Sequence, residues 1–360
     1  MSDGPRDRIE VRPGLDMVSG YHSPQLDVDV RLNTNESPEP PPASFLAELA
    51  QAARDLEPHR YPDRRAERLR RAIGAHHGLA PEQVALGNGS NEVLQAVCLA
   101  YGGTQRTAVT FEPTYAMHAH IARVCGTAVV ELERGPGFLI EAELAAARLA
   151  EVAPHITFLC SPNNPTGVVE PAATIDAVID AAPGLVVVDE AYGQFAPWSA
   201  TQLLDEDRPL VVTRTFSKTW AMAGLRLGYL LGPSWLVAEL DRVLLPYHID
   251  SLKQAAGLVA LDHVEEMEVR VARIAEERGR IASALSDLDV DVVPSGSNFV
   301  LFRPRPVDGR VVWERLVERG VLVRDCSGWP RLDGYLRVTV GTPSEGDRFL
   351  AAIEDALAAG

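Results

Sequence analysis

The chain has 360 residues, 46% of them hydrophobic and 23% charged, which fits a globular protein of about two domains at ~150 residues each. Its 34 basic and 50 acidic side chains leave a net charge of −16, which argues against broad binding to nucleic acid or to an anionic membrane. The four cysteines (Cys98, Cys125, Cys160, Cys326) are scattered without a C-x-x-C pair, so neither a disulfide framework nor a structural zinc site is expected. The first residues lack the apolar region of a signal peptide, and no apolar run approaches the about eighteen residues of a membrane span. The expectation is an acidic, cytoplasmic protein.

In chain order, the segment up to Pro42 is irregular in pattern and Pro-rich at its end, and is expected to lie across another surface rather than build a core. A helical pattern starts at Ala43 and runs to the break at Pro58. A second, Ala66 to Gly78, carries a basic run from Arg64 to Arg71 and closes at a glycine, as helices do. The basic run reads as a solvated helix face beside an acidic surface. Short apolar runs then alternate with helix-length segments. The predicted strands are Val84–Leu86, Thr107–Thr110, Ala128–Leu132, Ile156–Cys160, Leu185–Val188, Leu210–Thr213 and Leu227–Leu231. Helices are predicted at Glu92–Ala100, Tyr115–Cys125 and Pro171–Ala182. This alternation predicts an α/β fold with a mostly parallel sheet flanked by helices. Beyond residue 250 the rhythm changes. A long charged helix from Gln254 to Ser286 leads into shorter strands at Asp289–Val293, Ser297–Arg303, Val321–Arg324 and Tyr335–Val340, with a helix at Arg310–Arg319. The expected division is a large domain over 44–250, with 1–43 and 251–360 forming an N-terminal arm and a small α+β domain.

Ligands of open α/β sheets bind beyond the carboxyl ends of the strands, and four segments there carry unusual residues. Gly87-Asn88-Gly89-Ser90-Asn91 joins a strand to a helix, where free N–H groups and the Ser90 hydroxyl can cradle a phosphate. The alternative is a plain turn. In Ser161-Pro162-Asn163-Asn164-Pro165, the prolines fix two asparagines in direction, as a site for a planar ligand or an ordinary Asn-Pro turn. Asp189 ends an apolar strand, where a carboxylate needs a cation or a donor unless it caps a helix. Lys218 follows another such strand among hydroxyls and apolar groups, where desolvation would lower its pKa for Schiff-base chemistry; an ordinary solvated lysine is the alternative. Thr215, Ser217 and Arg226 can complete the phosphate cradle begun at Gly89, Ser90 and Asn91. A phosphate, an aldehyde and a ring nitrogen together describe pyridoxal 5′-phosphate.

On these segments, with Asn33-Thr34-Asn35-Glu36, Arg60-Tyr61-Pro62-Asp63, Pro113-Thr114-Tyr115 and Leu336-Arg337-Val338-Thr339, the sequence resembles the fold-type I, class I/II pyridoxal-phosphate aminotransferases. The matches run in family order from residue 32 to 341. More narrowly, it is similar to the histidinol-phosphate aminotransferases. That likeness implies a small-molecule amino donor, L-histidinol phosphate, and a 2-oxo acid acceptor, 2-oxoglutarate. It implies that Lys218 carries the cofactor, that Asp189 pairs with its ring nitrogen, and that Tyr192 and Asn164 bond its ring hydroxyl oxygen. Tyr115 would stack on the ring. Tyr61 would reach the neighbouring subunit's cofactor phosphate, so a homodimer with shared active sites is implied. Arg337, Tyr21 and Asn35 would meet substrate. Aromatic amino-acid transamination, or a decarboxylase acting on threonine phosphate, remains the alternative within the fold.

Arg324 ends one predicted strand and Arg337 lies in the next. In an antiparallel pair the two can converge, and a phosphate dianion can use both where a carboxylate needs one. His118 with His120, and His76 with His77, have no third ligand at a metal-like spacing and read as solvated helix positions. No metal is expected.

Overall fold

A computed structural model describes residues 11–12, 15 and 26–358. Among the described residues, twelve strands and eleven helices succeed one another along the chain. The strands are β1 (Val30–Leu32), β2 (Val84–Gly87), β3 (Thr107–Glu112), β4 (Ala128–Glu133), β5 (Ile156–Cys160), β6 (Leu185–Asp189), β7 (Leu210–Thr215), β8 (Gly228–Leu231), β9 (Val290–Val293), β10 (Phe299–Pro304), β11 (Val321–Asp325) and β12 (Leu336–Thr339). The helices are α1 (Ala43–Arg54), α2 (Glu67–His77), α3 (Ser90–Tyr101), α4 (Met117–Val124), α5 (Ala142–Val152), α6 (Ala172–Ala181), α7 (Ser234–Val243), α8 (Ser251–Leu261), α9 (Val264–Ser286), α10 (Gly309–Glu318) and α11 (Pro343–Ala358).

Seven strands form one sheet in the order β2-β8-β7-β6-β5-β3-β4. It is parallel except around β8, which runs antiparallel to both β2 and β7. β5, β6 and β7 are buried along their whole length, because helices cover both faces of the sheet. The period-2 alternation of a strand assigns the faces. Val187 and Val211 pack with Phe158 against α3, α4 and α7. Val186, Val188, Leu210 and Val212 point the other way, against α5 and α6. Each such buried valine contributes about 1.5–3 kcal/mol relative to exposure. Asp189 follows Val188, so it falls on the α3–α4 side.

The second sheet has the order β1-β11-β12-β10-β9, antiparallel except for β1, which lies parallel to β11. The segment expected to lie irregularly across another surface therefore contributes a strand. Val30 and Leu32 are buried in the small core with Val300, Phe302 and Val338. Only three residues pair, too few for an alternating pattern to stand out in sequence.

The long helix expected over Gln254 to Ser286 is two helices. α8 ends at Leu261 and α9 begins at Val264, with Asp262 and His263 between them. α9 links the two sheets: Met267 packs in the core around β2 and β8, whereas Ile281 and Leu285 pack in the small core. α2 is capped by Gly78, whose φ of 69° suits a residue without a side chain. The basic run that opens α2 is not wholly solvated. Arg70 is buried and its Nη1 donates to Asp241 Oδ2 at 3.0 Å.

Candidate active site

The carboxyl ends of β5, β6 and β7 and the start of α3 open into a cavity of about 390 Å³, roofed by residues 33–36 and by the β11–β12 pair. Into it project Asn35, Ser90, Asn91, Tyr115, Asn164, Asp189, Tyr192, Thr215, Ser217, Lys218, Arg226, Arg324 and Arg337. Residues spread over some 300 positions of sequence thus meet at one place, where the strand-end rule puts it. Among the described residues, Tyr61 and Gly89 are expected site residues that are not part of its lining. Tyr61 is 81% exposed and stacks on Tyr247, with ring centroids 4.6 Å apart. Tyr21 lies outside the described residues.

Lys218 comes shortly after β7. Its Nζ donates to the Asn35 carbonyl at 2.8 Å and the Thr34 carbonyl at 3.3 Å. Burial, reinforced by the Arg337 guanidinium, brings its pKa down from the ordinary 10.5 to about 8. An appreciable fraction of this amine is therefore neutral and nucleophilic near neutral pH. Asp189 is 1% exposed. One carboxylate oxygen accepts from the Ala191 N–H at 3.0 Å, and the other faces His118 Nε2 at 2.9 Å. The chain continues from Asp189 into the short 3₁₀ turn Gly193–Phe195, so the carboxylate is not there to cap a helix.

His118 overturns the expectation of a solvated position. It is fully buried, stacked on Phe158 at 5.1 Å and 4° between planes. A carboxylate only accepts, so Nε2 is the nitrogen that donates to it, while Nδ1 has no hydrogen-bond partner. The signal was present in sequence, since His118 lies three and four residues before Ile121 and Ala122, on the apolar face of α4. His77 is likewise not simply solvated. It lies 2.9 Å from the Tyr229 hydroxyl, and burial pushes its pKa down to about 3.

Tyr192 is buried, and its hydroxyl accepts from Asn35 Nδ2 at 2.8 Å. Burial raises its pKa to about 12, so it keeps a proton to donate. Asn35 is fixed in turn by Thr339, through its N–H at 3.0 Å and its side-chain oxygen at 3.1 Å. The Asn163-Asn164 loop is held from below. Arg134 and Glu170 form a buried ion pair, and Arg134 Nη2 donates to Asn163 Oδ1 at 3.1 Å. Asn164 is thereby left facing the cavity, where its Oδ1 accepts from Arg337. The other Arg337 nitrogen donates to the Asn33 carbonyl at 3.1 Å.

At the far end, Arg226 Nη1 donates to Ser217 Oγ at 3.3 Å, and Thr215 Oγ1 lies 3.0 Å from the same hydroxyl. Gly89 precedes α3 with a φ of 82°, and a Cβ there would collide with the Arg226 guanidinium. The result is a concave, cationic cradle at a helix N-terminus, which suits a phosphate. The buried Asp189 carboxylate suits a protonated ring nitrogen, and the Lys218 amine suits an aldehyde. The residues present fit pyridoxal phosphate. Among the described residues no group of three or more His, Cys, Asp or Glu is gathered to hold a metal ion, and no helix is long and apolar enough to cross a membrane.

A sheet with a lysine, a buried carboxylate and a phosphate cradle at its strand ends defines a pyridoxal-phosphate enzyme, and the chain belongs to the family "Aminotransferase class I and II", matched over residues 28–353. Curated relatives narrow the likeness. A histidinol-phosphate aminotransferase of Corynebacterium efficiens is 42% identical over 354 residues, 96% of this chain and 94% of that protein. One from Frankia casuarinae is 43% identical over 363 residues, covering 96% and 90%. Among solved structures, the histidinol-phosphate aminotransferase of Sinorhizobium meliloti in complex with pyridoxal-5′-phosphate matches with a TM-score of 0.90 at 24% identity, over 99% of this chain and all of that one (100%). The L-threonine-O-3-phosphate decarboxylase of Porphyromonas gingivalis has the same fold, with a TM-score of 0.80 at 20% identity, over 92% of this chain and 100% of that one.

Proposed function

We propose that this chain transfers the amino group of L-histidinol phosphate to 2-oxoglutarate, a step of histidine biosynthesis. The observation that carries the substrate is the pairing of Arg324 with Arg337 in the β11–β12 register, both facing the cavity. A dianionic phosphate can engage two guanidinium groups, and the same place would accept glutamate's α-carboxylate, which needs only one.

In this reading the α3 N-terminus at Gly89, Ser90 and Asn91, with Thr215, Ser217 and Arg226, would hold the cofactor phosphate. Asp189 would keep the ring nitrogen protonated, Tyr192 and Asn164 would bond the ring hydroxyl oxygen, and Tyr115 would cover the ring face. When bound, pyridoxal phosphate supplies an electron sink for the charge left at the substrate Cα once its proton is removed. Lys218 would take that proton on Nζ as general base and give it back as general acid. Asn35 supports Tyr192 and also faces the substrate. Residues 44–250 act as the cofactor-binding domain, and 1–43 with 251–360 as the part that brings Arg324 and Arg337 to it.

The enzyme acts as a cytoplasmic homodimer, with Tyr61 reaching the partner's cofactor phosphate. In support, Tyr61 is exposed beside Tyr247, and Leu245 is 75% exposed, an apolar surface of the kind that subunits cover. The deciding experiment supplies histidinol phosphate, phenylalanine and threonine phosphate to the purified holoenzyme. Ketone formation fastest from histidinol phosphate supports the proposal. Preference for phenylalanine moves the enzyme to the aromatic transaminases, and release of carbon dioxide from threonine phosphate makes it a decarboxylase.

A further inference from the structure

We infer that Trp329 is a positioning residue that sets the direction of Arg324, and with it the preference for a phosphorylated amino donor. This rests on the substrate reading above. Arg324 and Arg337 are directly opposed across β11 and β12, so their side chains leave the same face of the sheet at close range. Like charges so placed repel each other, and each needs its own restraint to stay over the cavity. Arg337 is restrained by Asn164 and the Asn33 carbonyl, with its guanidinium carbon 5.0 Å over the Phe299 ring.

For Arg324 the surface is Trp329, with the guanidinium carbon 5.2 Å from the indole centroid. The electron-rich face of an indole is the best aromatic partner for a cation. Trp329 also lines the cavity, so the two groups share one wall. The indole is itself fixed from the other domain. Its Nε1 donates to the Thr114 carbonyl at 3.0 Å, next to Tyr115, which lines the same cavity. Two residues on, Arg331 donates to the Arg134 carbonyl and lies 5.5 Å over the Phe138 ring. The turn between β11 and β12 is thus pinned to the large domain at two points, and the first pin carries the platform for Arg324.

A donor that uses both arginines depends on this platform, whereas glutamate, which needs only Arg337, does not. The test compares the holoenzyme variants Trp329→Leu and Trp329→Phe in both half-reactions. Trp329→Leu is expected to raise KM for histidinol phosphate about tenfold, while kcat and the glutamate half-reaction stay within about twofold. Trp329→Phe keeps a ring but loses the N–H, and falls between. In an Arg324→Ala background, Trp329→Leu adds no further loss, because it acts through Arg324. Equal losses in both half-reactions, or additive losses in the double variant, overturn the assignment, as does a Trp329→Leu enzyme with normal KM. A wild-type enzyme that does not use histidinol phosphate overturns the substrate reading instead.

Discussion

His118 Nε2 lies 2.9 Å from Asp189 Oδ2, in a place where neither side chain meets solvent. The buried carboxylate is therefore oriented by a ring whose own position is fixed by stacking on Phe158. Asp189 has donors on both oxygens, which is what makes a buried charge tolerable.

Replacing Asp189 by Asn should leave cofactor binding intact and lower turnover by several orders of magnitude, each tenfold step being ~1.4 kcal/mol of lost transition-state stabilisation. His118→Phe keeps the stack on Phe158 but removes one donor from a buried carboxylate, at a cost of about 1–3 kcal/mol. Turnover should fall about tenfold or more and Tm should drop. Stopped-flow half-reactions and thermal unfolding measure both. A fully active Asp189→Asn enzyme would sink the assignment.

The depressed pKa of Lys218 predicts a pH profile for cofactor capture by the apoenzyme. The neutral amine is the reactive form, and it grows as pH rises through about 8. Capture should accelerate up to that point and then level off, whereas an ordinary lysine would keep accelerating past pH 10. The same shift acts on stability. The folded state binds fewer protons at this site than the unfolded chain, so its penalty is largest below about 8 and fades toward the unfolded lysine value. Reconstitution rates measured by absorbance decide the first point. Lys218→Ala should give a colourless, inactive protein.

Arg324→Ala should separate the two half-reactions. The histidinol phosphate half-reaction is expected to weaken by about 1.5–3 kcal/mol, the worth of hydrogen bonds to a charged group, and the glutamate half-reaction by much less. An equal loss for both donors would mean that Arg324 serves the fold and not the phosphate.

Subunit mixing tests the role of Tyr61. Tyr61→Phe and Lys218→Ala chains each place one defect in a shared site, so hybrid dimers should regain part of the activity through one intact site. Demonstrated subunit exchange without recovery would count against a shared site.

The central sheet was legible because β5, β6 and β7 are buried on both faces and so read as unbroken apolar runs. Asp189 and Lys218 stood out for the same reason, each being a charge at the close of such a run. β1 was hidden by its brevity. The break between α8 and α9 was hidden because Asp262 and His263 carry neither the glycine nor the proline that marks a helix end. Beside His120, His118 reads as half of a pair, whereas its spacing to Ile121 and Ala122 is what marks it as buried. Trp329 had no signal of its own, since its meaning depends on Arg324 and the Thr114 carbonyl converging on one indole from distant parts of the chain.

Asn35 is tied to Thr339 across a separation of 304 positions, and this bears on how the protein is made. The large sheet lies between Val84 and Leu231, so its strands are complete while roughly the last third of the chain is still unsynthesised. The tie that fixes Asn35 over Lys218 must wait for β12. A chain ending in that interval has every strand of the large sheet but lacks Thr339, the partner that fixes Asn35. Activity is acquired only when the two ends of the chain meet.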